Sequence, residues 1–181
     1  KHVEWSVGDA EEGFRECDLV LEDSFETHVV QHMPMETHTY AAEHDRHSGR
    51  LTVWTSTQGV HNIRILLAKI LDMPLTRIRV IKPFTGGSFG GKNDLFDEIV
   101  VALMAMETGR PVRLTLTRWE EFVGTRTRHA NRFHLKLGFK SDGALHARAL
   151  RAYLNAGGYS ASSPKVTMTT GHRWMMLYRT P

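Results

Sequence analysis

Residues 51–92 decide the fold, and their sequence is LTVWTSTQGVHNIRILLAKILDMPLTRIRVIKPFTGGSFGGK. Residues 51–56 form a short apolar and β-branched run that is typical of a strand. After Gln58, apolar residues recur every three or four positions, which predicts one buried face of a helix that ends before Pro74. They are Val60, Ile63, Leu66, Leu67, Ile70 and Leu71. Residues 77–81 alternate again, so the stretch predicts a β-α-β unit.

The β-α-β unit also predicts where a ligand would lie. If its two strands are parallel, their carboxyl ends lie at the same edge of the sheet. Gln58 follows the first strand, and the glycine-rich loop that starts at Thr85 follows the second. Ligands of such sheets collect beside the carboxyl strand ends. We therefore expect the Gln58 amide and the glycine loop to meet.

The remaining segments predict an α/β fold, with α+β as the alternative, in which helices pack on mixed sheets. A helical run is expected from about Asp94 to Glu107, largely buried because its apolar residues cover more than one face. Further predicted elements are a helix after Asp9, a half-buried strand over 19–30, a strand over 112–116, a helix opened by the Thr117/Glu120 capping box, and a hairpin turning at 141–143. Beyond Gly158 the pattern predicts no element.

Composition narrows the class of protein. The chain has 181 residues, 41% of them apolar and 24% charged, which supports a folded core and excludes disorder as the main state. No run approaches the roughly 20 apolar residues of a membrane helix. The net charge of +3 does not by itself indicate nucleic-acid binding. The single Cys17 excludes an internal disulfide and fits a reducing compartment, so we expect a cytoplasmic protein.

The glycine loop leaves several interpretations open. Gly86, Gly87, Gly90 and Gly91 let the main chain turn sharply and come close to a ligand, with N–H groups free to donate. Gly86-x4-Gly91-Lys92 matches the core of a nucleotide-binding P-loop, although position 93 is Asn where that motif has Ser or Thr. Another anionic cofactor, or a turn that serves packing only, as in a non-catalytic interaction domain, are the alternatives.

Several motifs in order resemble the xanthine dehydrogenase and aldehyde oxidase family. They are His32-Met-Pro-Met-Glu36-Thr-His38, Thr57-Gln58, Arg77-Ile-Arg-Val80, Gly86-Gly-Ser-Phe-Gly-Gly-Lys92, Gly109-Arg-Pro-Val112 and Thr117-Arg118. The resemblance implies that residues 1–181 are part of a molybdopterin-binding domain, with a core at 8–140 and a truncated continuation at 141–181. It also implies a molybdenum hydroxylase that oxidatively hydroxylates an aldehyde or an N-heterocycle.

The resemblance assigns roles to individual residues. Gln58 would hydrogen-bond an oxygen ligand of molybdenum. Phe89 would lie in the molybdenum environment, and main-chain amides of Gly86, Gly87, Ser88, Phe89 and Gly90 would hold the molybdopterin. Asn93 stands where purine-oxidising relatives carry a substrate-orienting glutamate, so a xanthine-like substrate is not favoured.

Two segments that are typical of the family are not found in this sequence. The later Phe-Arg-Gly-Phe-Gly segment and the catalytic Gly-x-Gly-Glu motif of the family have no counterpart here. We therefore expect an excised piece that is inactive alone. Its expected partners are the remaining molybdenum-subunit domains, iron–sulfur and flavin (FAD) domains or subunits, and a small-molecule substrate, without nucleic acid or membrane.

The histidine-rich stretch and the basic run do not require a special function. The histidines at 28, 32, 38, 44 and 47 favour partly buried or surface roles over a zinc site, and Glu36 with His32 and His38 predicts a hydrogen-bonded cluster near the pocket. The basic residues between Arg110 and Lys136 favour a solvated or subunit-facing surface over nucleic-acid binding.

Overall fold

The computed structural model describes residues 2–158, 160, 162–178 and 180. The helices are α1 (Ala10–Arg15), α2 (Val60–Ile70), α3 (Glu98–Thr108), α4 (Arg118–Gly124) and α5 (Ser163–Leu177), with a 3-10 helix at Leu75–Arg77. The strands are β1 (Leu19–Thr27), β2 (Val30–Gln31), β3 (Thr39–Asp45), β4 (Arg50–Thr55), β5 (Ile78–Ile81), β6 (Val112–Thr115), β7 (Thr127–Arg128), β8 (Asn131–Phe139) and β9 (Leu145–Leu154). They belong to two compact units, residues 31–128 and residues 1–30 with 129–181.

The unit of residues 31–128 is built on a mixed four-stranded sheet. The strand order is β5-β4-β3-β6, with β4 and β5 parallel and the other neighbours antiparallel. The predicted β-α-β crossover through α2 and the α/β class with mixed sheets are therefore confirmed. One face of the sheet carries the core, because alternate strand residues point to the same side. Its buried members are Tyr40, Ala42, Leu51, Val53 and Ile78 from the strands, with Ile63, Leu67, Val101, Ala102 and Ala105 from α2 and α3.

Helix α3 differs from its prediction in two ways. It begins at Glu98, not near Asp94, and residues 91–97 form turns and irregular chain instead. One tertiary and one local contact explain the late start: Asp94 pairs with Arg126, and the Glu98 carboxylate accepts the Phe96 N–H at 2.8 Å. The expectation of a largely buried helix is also wrong. Val100, Leu103 and Met104 are about half exposed, because α3 packs on the sheet with one side only.

The unit of residues 1–30 and 129–181 is an antiparallel sheet with helices. Its strand order is β1-β8-β9, and the predicted hairpin at 141–143 joins β8 to β9. The prediction of a half-buried first strand is wrong, because all nine residues of β1 are exposed. Strand β1 is at the edge of this sheet and pairs with β8. Helix α5 was not predicted at all.

Local caps agree with the sequence. Asp9 accepts the Glu12 N–H at 3.1 Å at the start of α1. Thr117 and Glu120 form the reciprocal capping box at the start of α4. In the part of the chain that the structure describes, no helix is both long and apolar enough to cross a bilayer.

Candidate functional site

The Gln58 side chain and the glycine loop meet beyond the carboxyl ends of β4 and β5. The main-chain N–H of Gly90 donates to Gln58 Oε1 at 3.0 Å. The N–H of Gln58 donates to the carbonyl of Lys92 at 2.8 Å, and the Thr57 hydroxyl donates to the same carbonyl at 3.1 Å. The predicted convergence of these two elements is thus confirmed. The ligand that Gln58 and the loop would bind stays a prediction.

The glycine loop holds an unusual main-chain conformation. Gly87, Phe89 and Gly90 have φ angles of 99°, 52° and 97°. Positive φ is easy for glycine and unfavourable for phenylalanine, so the surroundings must hold Phe89 in place. The Gly91 N–H donates to the Ser88 carbonyl at 2.8 Å and closes the turn.

Three consecutive donors of the loop are left unused. The main-chain N–H groups of Gly87, Ser88 and Phe89 form no hydrogen bond with any described residue. The Ser88 hydroxyl oxygen is buried and likewise has no partner among these residues. Successive main-chain N–H groups in such turns form a concave site for anions. The loop therefore offers several donors at one place.

The loop also comes close to the segment that precedes β3. A Cβ added to Gly86 would lie 2.8 Å from Glu36 Cβ, and one added to Gly91 would lie 3.2 Å from the His32 ring. Both distances are shorter than ordinary carbon contacts, so a side chain at either position would displace its neighbour. Packing therefore favours glycine at both positions, most strongly at Gly86, where the added Cβ would come closest to its neighbour.

Lys92 is buried and paired with Glu36. Its side chain is 1% exposed, and Nζ donates to the Glu36 carbonyl at 2.9 Å and to Glu36 Oε2 at 3.1 Å. In a P-loop the corresponding lysine reaches the nucleotide phosphates, and a helix starts directly after the loop. Here the ammonium is committed to Glu36 and α3 begins only at Glu98. The P-loop interpretation does not fit this geometry.

Asn93 directly follows this pair. Its side chain is exposed and forms no hydrogen bond with the described residues. It is therefore available to a ligand, but nothing in the fold fixes its amide.

A second polar network lies buried beside the core. The ring Nδ1 of His38 lies 2.9 Å from Glu121 Oε1, and the main-chain N–H of His38 donates to Glu121 Oε2 at 2.8 Å. On α3, Glu98 accepts the Thr55 hydroxyl at 2.8 Å, and burial raises the pKa of its carboxyl. Burial also raises the pKa of the Tyr40 hydroxyl. The bonds of Glu121 link the segment before β3 to α4, and the bond of Glu98 links β4 to α3.

The predicted cluster of His32, Glu36 and His38 is wrong in its pairing. His38 bonds with Glu121, Glu36 with Lys92 and Gly86, and His32 Nδ1 with the Arg126 carbonyl at 3.0 Å. Burial lowers the pKa of His32, and the cations of Arg128 and Arg126 act in the same direction. Among the described residues, no group of three or more His, Cys, Asp and Glu side chains could hold a metal ion. The sequence carried no signal for these pairs, because Glu36 and Lys92 are 56 positions apart and His38 and Glu121 are 83.

Comparison with known proteins identifies the family. The profile of the molybdopterin cofactor-binding domain matches residues 1–181. The chain belongs to this family. It is 36% identical over 173 residues to the large molybdopterin subunit of nicotinate dehydrogenase from Eubacterium barkeri, which is 95% of this chain and 40% of that protein. It is 34% identical over 179 residues to a putative xanthine dehydrogenase molybdenum-binding subunit from Escherichia coli K12, which is 98% of this chain and 24% of that protein.

Solved structures give the same family. Aldehyde oxidoreductase from Desulfovibrio gigas superimposes with a TM-score of 0.80 at 26% identity, over 90% of this chain and 18% of that chain. Quinoline 2-oxidoreductase from Pseudomonas putida 86 superimposes with a TM-score of 0.73 at 31% identity, over 83% of this chain and 19% of that chain. The expected family, fold and cofactor, molybdopterin with molybdenum, are confirmed. The chain spans less than half the length of these relatives.

The residues of the loop fit the cofactor for which the family is named. Molybdopterin is anionic, and the site offers the free N–H groups of residues 87–89 together with the Ser88 hydroxyl. Gln58 adds a neutral amide whose oxygen is taken by Gly90, which leaves Nε2 to donate. No carboxylate of the loop opposes an anion, because Glu36 is balanced by Lys92. The hydrogen-bond donors and the local charge of the site therefore both suit an anionic cofactor.

Proposed function

We propose that this chain is the part of a molybdenum hydroxylase that binds and orients the molybdopterin cofactor. The observation that carries the proposal is the run of three unbonded main-chain N–H groups at 87–89, next to the Gln58 amide. In this proposal Gly86, Gly87, Ser88, Phe89 and Gly90 hold the cofactor through the main chain. Gln58 Nε2 would donate to an oxygen of the metal group, and Gln58 and Phe89 would form the molybdenum environment.

The chemistry belongs to the bound cofactor, which supplies oxidative hydroxylation of an electron-poor carbon with oxygen derived from water. This chain contributes positioning. The neutral Gln58 amide would hold an oxygen without adding charge, and the loop donors would balance the charge of an anionic group. Lys92 and Glu36 neutralise each other, so neither changes the net charge that the cofactor meets.

The substrate class in the proposal is an aldehyde or an N-heterocycle. Asn93 is the residue that would face it, because it follows the loop directly and its exposed amide is uncommitted. An amide can donate through its NH2 group and accept through its oxygen, but it supplies neither a negative charge nor an acidic proton. Nicotinate and quinoline, named for two relatives, are N-heterocycles, and a third relative is named for aldehydes.

The proposal includes partners and a location. The whole enzyme would combine this domain with the remaining molybdenum-subunit domains and with iron–sulfur and flavin domains or subunits. The relatives' greater length supports the first of these, and the chain alone would be inactive. The single Cys17 supports a cytoplasmic location.

The test is metal and pterin analysis of the full-length protein that contains this chain, purified from a host that makes molybdopterin. We expect about one molybdenum and one pterin for each copy, and hydroxylation of an aldehyde or N-heterocycle by the full-length protein only. A protein without molybdenum and pterin would overturn the proposal. So would a magnesium-dependent thermal shift with ATP, which would instead support nucleotide binding.

A further inference from the structure

Glu36 holds both ends of the glycine loop. Its carboxylate Oε2 accepts the Gly86 N–H at 2.8 Å and the Lys92 ammonium at 3.1 Å. Its main chain repeats the same two links, because the Glu36 N–H donates to the Gly86 carbonyl at 3.1 Å and the Glu36 carbonyl accepts Lys92 Nζ at 2.9 Å. Four hydrogen bonds thus connect one residue to the first and the last position of the loop.

The residues beside Glu36 are fixed from outside the loop. Arg118 donates to the Met35 carbonyl at 2.7 Å, and His38 is held by two hydrogen bonds to the buried carboxylate of Glu121. Arg118 and Glu121 both belong to α4, so both anchors come from this helix. Glu36 therefore presents a fixed carboxylate, and a fixed acceptor can impose its position on a flexible loop.

The interior of the loop has little other support. Within residues 86–91, the remaining hydrogen bonds to described residues are those from the Gly90 N–H to Gln58 Oε1 and from the Gly91 N–H to the Ser88 carbonyl. Gly87 and Gly90 adopt positive φ angles easily, but the positive φ of Phe89 opposes the conformation unless the ends of the loop are held. A site that is ordered before its ligand arrives avoids the cost of ordering during binding.

We infer that Glu36 is a positioning residue that sets the glycine loop in its binding conformation before the cofactor arrives. Lys92 has the matching role of a buried counter-charge, which holds the carboxylate in place and does not touch the ligand. The inference rests on the proposed function for the identity of the ligand. The order of the empty loop, by contrast, can be measured without any cofactor.

The experiment measures residue-resolved amide exchange of the full chain prepared without cofactor, for the wild type and Glu36→Gln. Glu43→Gln is the matched control, because Glu43 is exposed on β3 of the same unit. We expect Glu36→Gln to accelerate exchange at Gly86, Gly90 and Gly91 by about tenfold or more, and to leave α2 and α3 unchanged. Since Gly90 and Gly91 do not bond to Glu36, their response reports the conformation of the whole loop.

Two results would overturn the inference. One is a loss of protection at Gly86 alone, which would mean that Glu36 supports only its direct partner. The other is a loss shared by α2 and α3, which would mean a general structural role. Glu36→Gln leaves the buried Lys92 ammonium without a counter-charge, so the double variant with Lys92→Met is measured beside it. The double variant has no unpaired charge, and we expect the same loop-specific acceleration.

The same variants in the cofactor-containing full-length protein separate this inference from the proposed function. Molybdenum content should fall several-fold in Glu36→Gln and remain at the wild-type value in Glu43→Gln. A wild type that carries no molybdenum would overturn the proposed function while the exchange result still decides the role of Glu36. Wild-type molybdenum content in Glu36→Gln would overturn the inference alone.

Discussion

Gln58 Oε1 accepts the Gly90 N–H at 3.0 Å, across 32 positions of sequence. A main-chain N–H can only donate, so this bond fixes which end of the Gln58 amide faces the loop. The Nε2 group is left with two donors and no partner among the described residues. One side chain therefore both supports the loop and offers donors to whatever the loop binds.

Gln58→Glu separates these two tasks. The carboxylate still accepts the Gly90 N–H, so we expect the unfolding midpoint to stay within about 2 °C of wild type. The donors are lost and a negative charge is added beside an anionic ligand, so molybdenum content of the full-length protein should fall about tenfold or more, roughly 1.4 kcal/mol of binding free energy. Metal analysis of the purified variant measures this.

The control for Gln58→Glu is Asn62→Asp, the same change from amide to acid on the exposed side of α2. It should retain wild-type molybdenum content. Equal metal content in Gln58→Glu and Asn62→Asp would contradict a direct role of the Gln58 donors.

Gly86→Ala tests the close approach of the loop to Glu36. The new methyl group would lie 2.8 Å from Glu36 Cβ, so the loop or the Glu36 segment must move. We expect a loss of about 1–3 kcal/mol in the free energy of unfolding, measured by urea denaturation, together with reduced molybdenum content. Gly124→Ala is the control, because nothing lies within 4 Å of its added Cβ. A loss in Gly86→Ala no larger than that of the control would show that the loop adapts freely.

A double-mutant cycle tests the Glu36–Lys92 pair. The Lys92 side chain is 1% exposed and that of Glu36 is 30% exposed, so a lone ammonium is harder to solvate than a lone carboxylate. Glu36→Gln should therefore destabilise more than Lys92→Met, with losses of about 2–4 kcal/mol and 1–2 kcal/mol. The double variant should lose at least about 1 kcal/mol less than the sum of the two. Urea denaturation measures each corner, and simple additivity would contradict a coupled pair.

Much of the fold could be predicted where the pattern is local. The alternation in β4 and β5 and the spacing of apolar residues in α2 are set within a dozen residues each, and the loop glycines stand in one short run. The meeting of Gln58 with the loop followed from the parallel strand ends. These features need no knowledge of distant partners.

The rest depends on contacts between distant residues. The start of α3 is delayed because Asp94 pairs with Arg126. Arg126 follows α4 and lies 32 positions further along the chain. Helix α5 contains Thr167, Thr169, Thr170 and Gly171, which favour helix weakly, and the Arg148 guanidinium of β9 donates to carbonyls at its end. The burial of Lys92 was equally hidden, because its partner lies 56 positions earlier. No local pattern carries such information.

The buried Glu98 carboxyl makes the stability of the fold depend on pH. Burial raises the pKa of its carboxyl in the folded state, although the Phe96 N–H and the Thr55 hydroxyl oppose the shift. Below the unfolded pKa, about 4.3, both states are protonated and the group has no effect on stability. Above it, the unfolded chain releases the proton before the folded one, so the ionisation of Glu98 lowers stability as pH rises toward the folded pKa.

Glu98→Gln replaces the ionisable carboxyl with an amide that does not titrate. Its amide can accept the Phe96 N–H and donate to the Thr55 hydroxyl, which can rotate to accept. We expect Glu98→Gln to gain stability relative to wild type as pH rises from about 4.5, by at most about 1.4 kcal/mol for each pH unit, and the gain to level off above the folded pKa. Urea denaturation of both proteins from pH 4.5 to 8 measures the difference. Glu43→Gln, which changes an exposed carboxylate, should run parallel to wild type. A Glu98→Gln curve that is also parallel would mean that Glu98 ionises equally well in both states, and that its place beside the core has no influence on its proton.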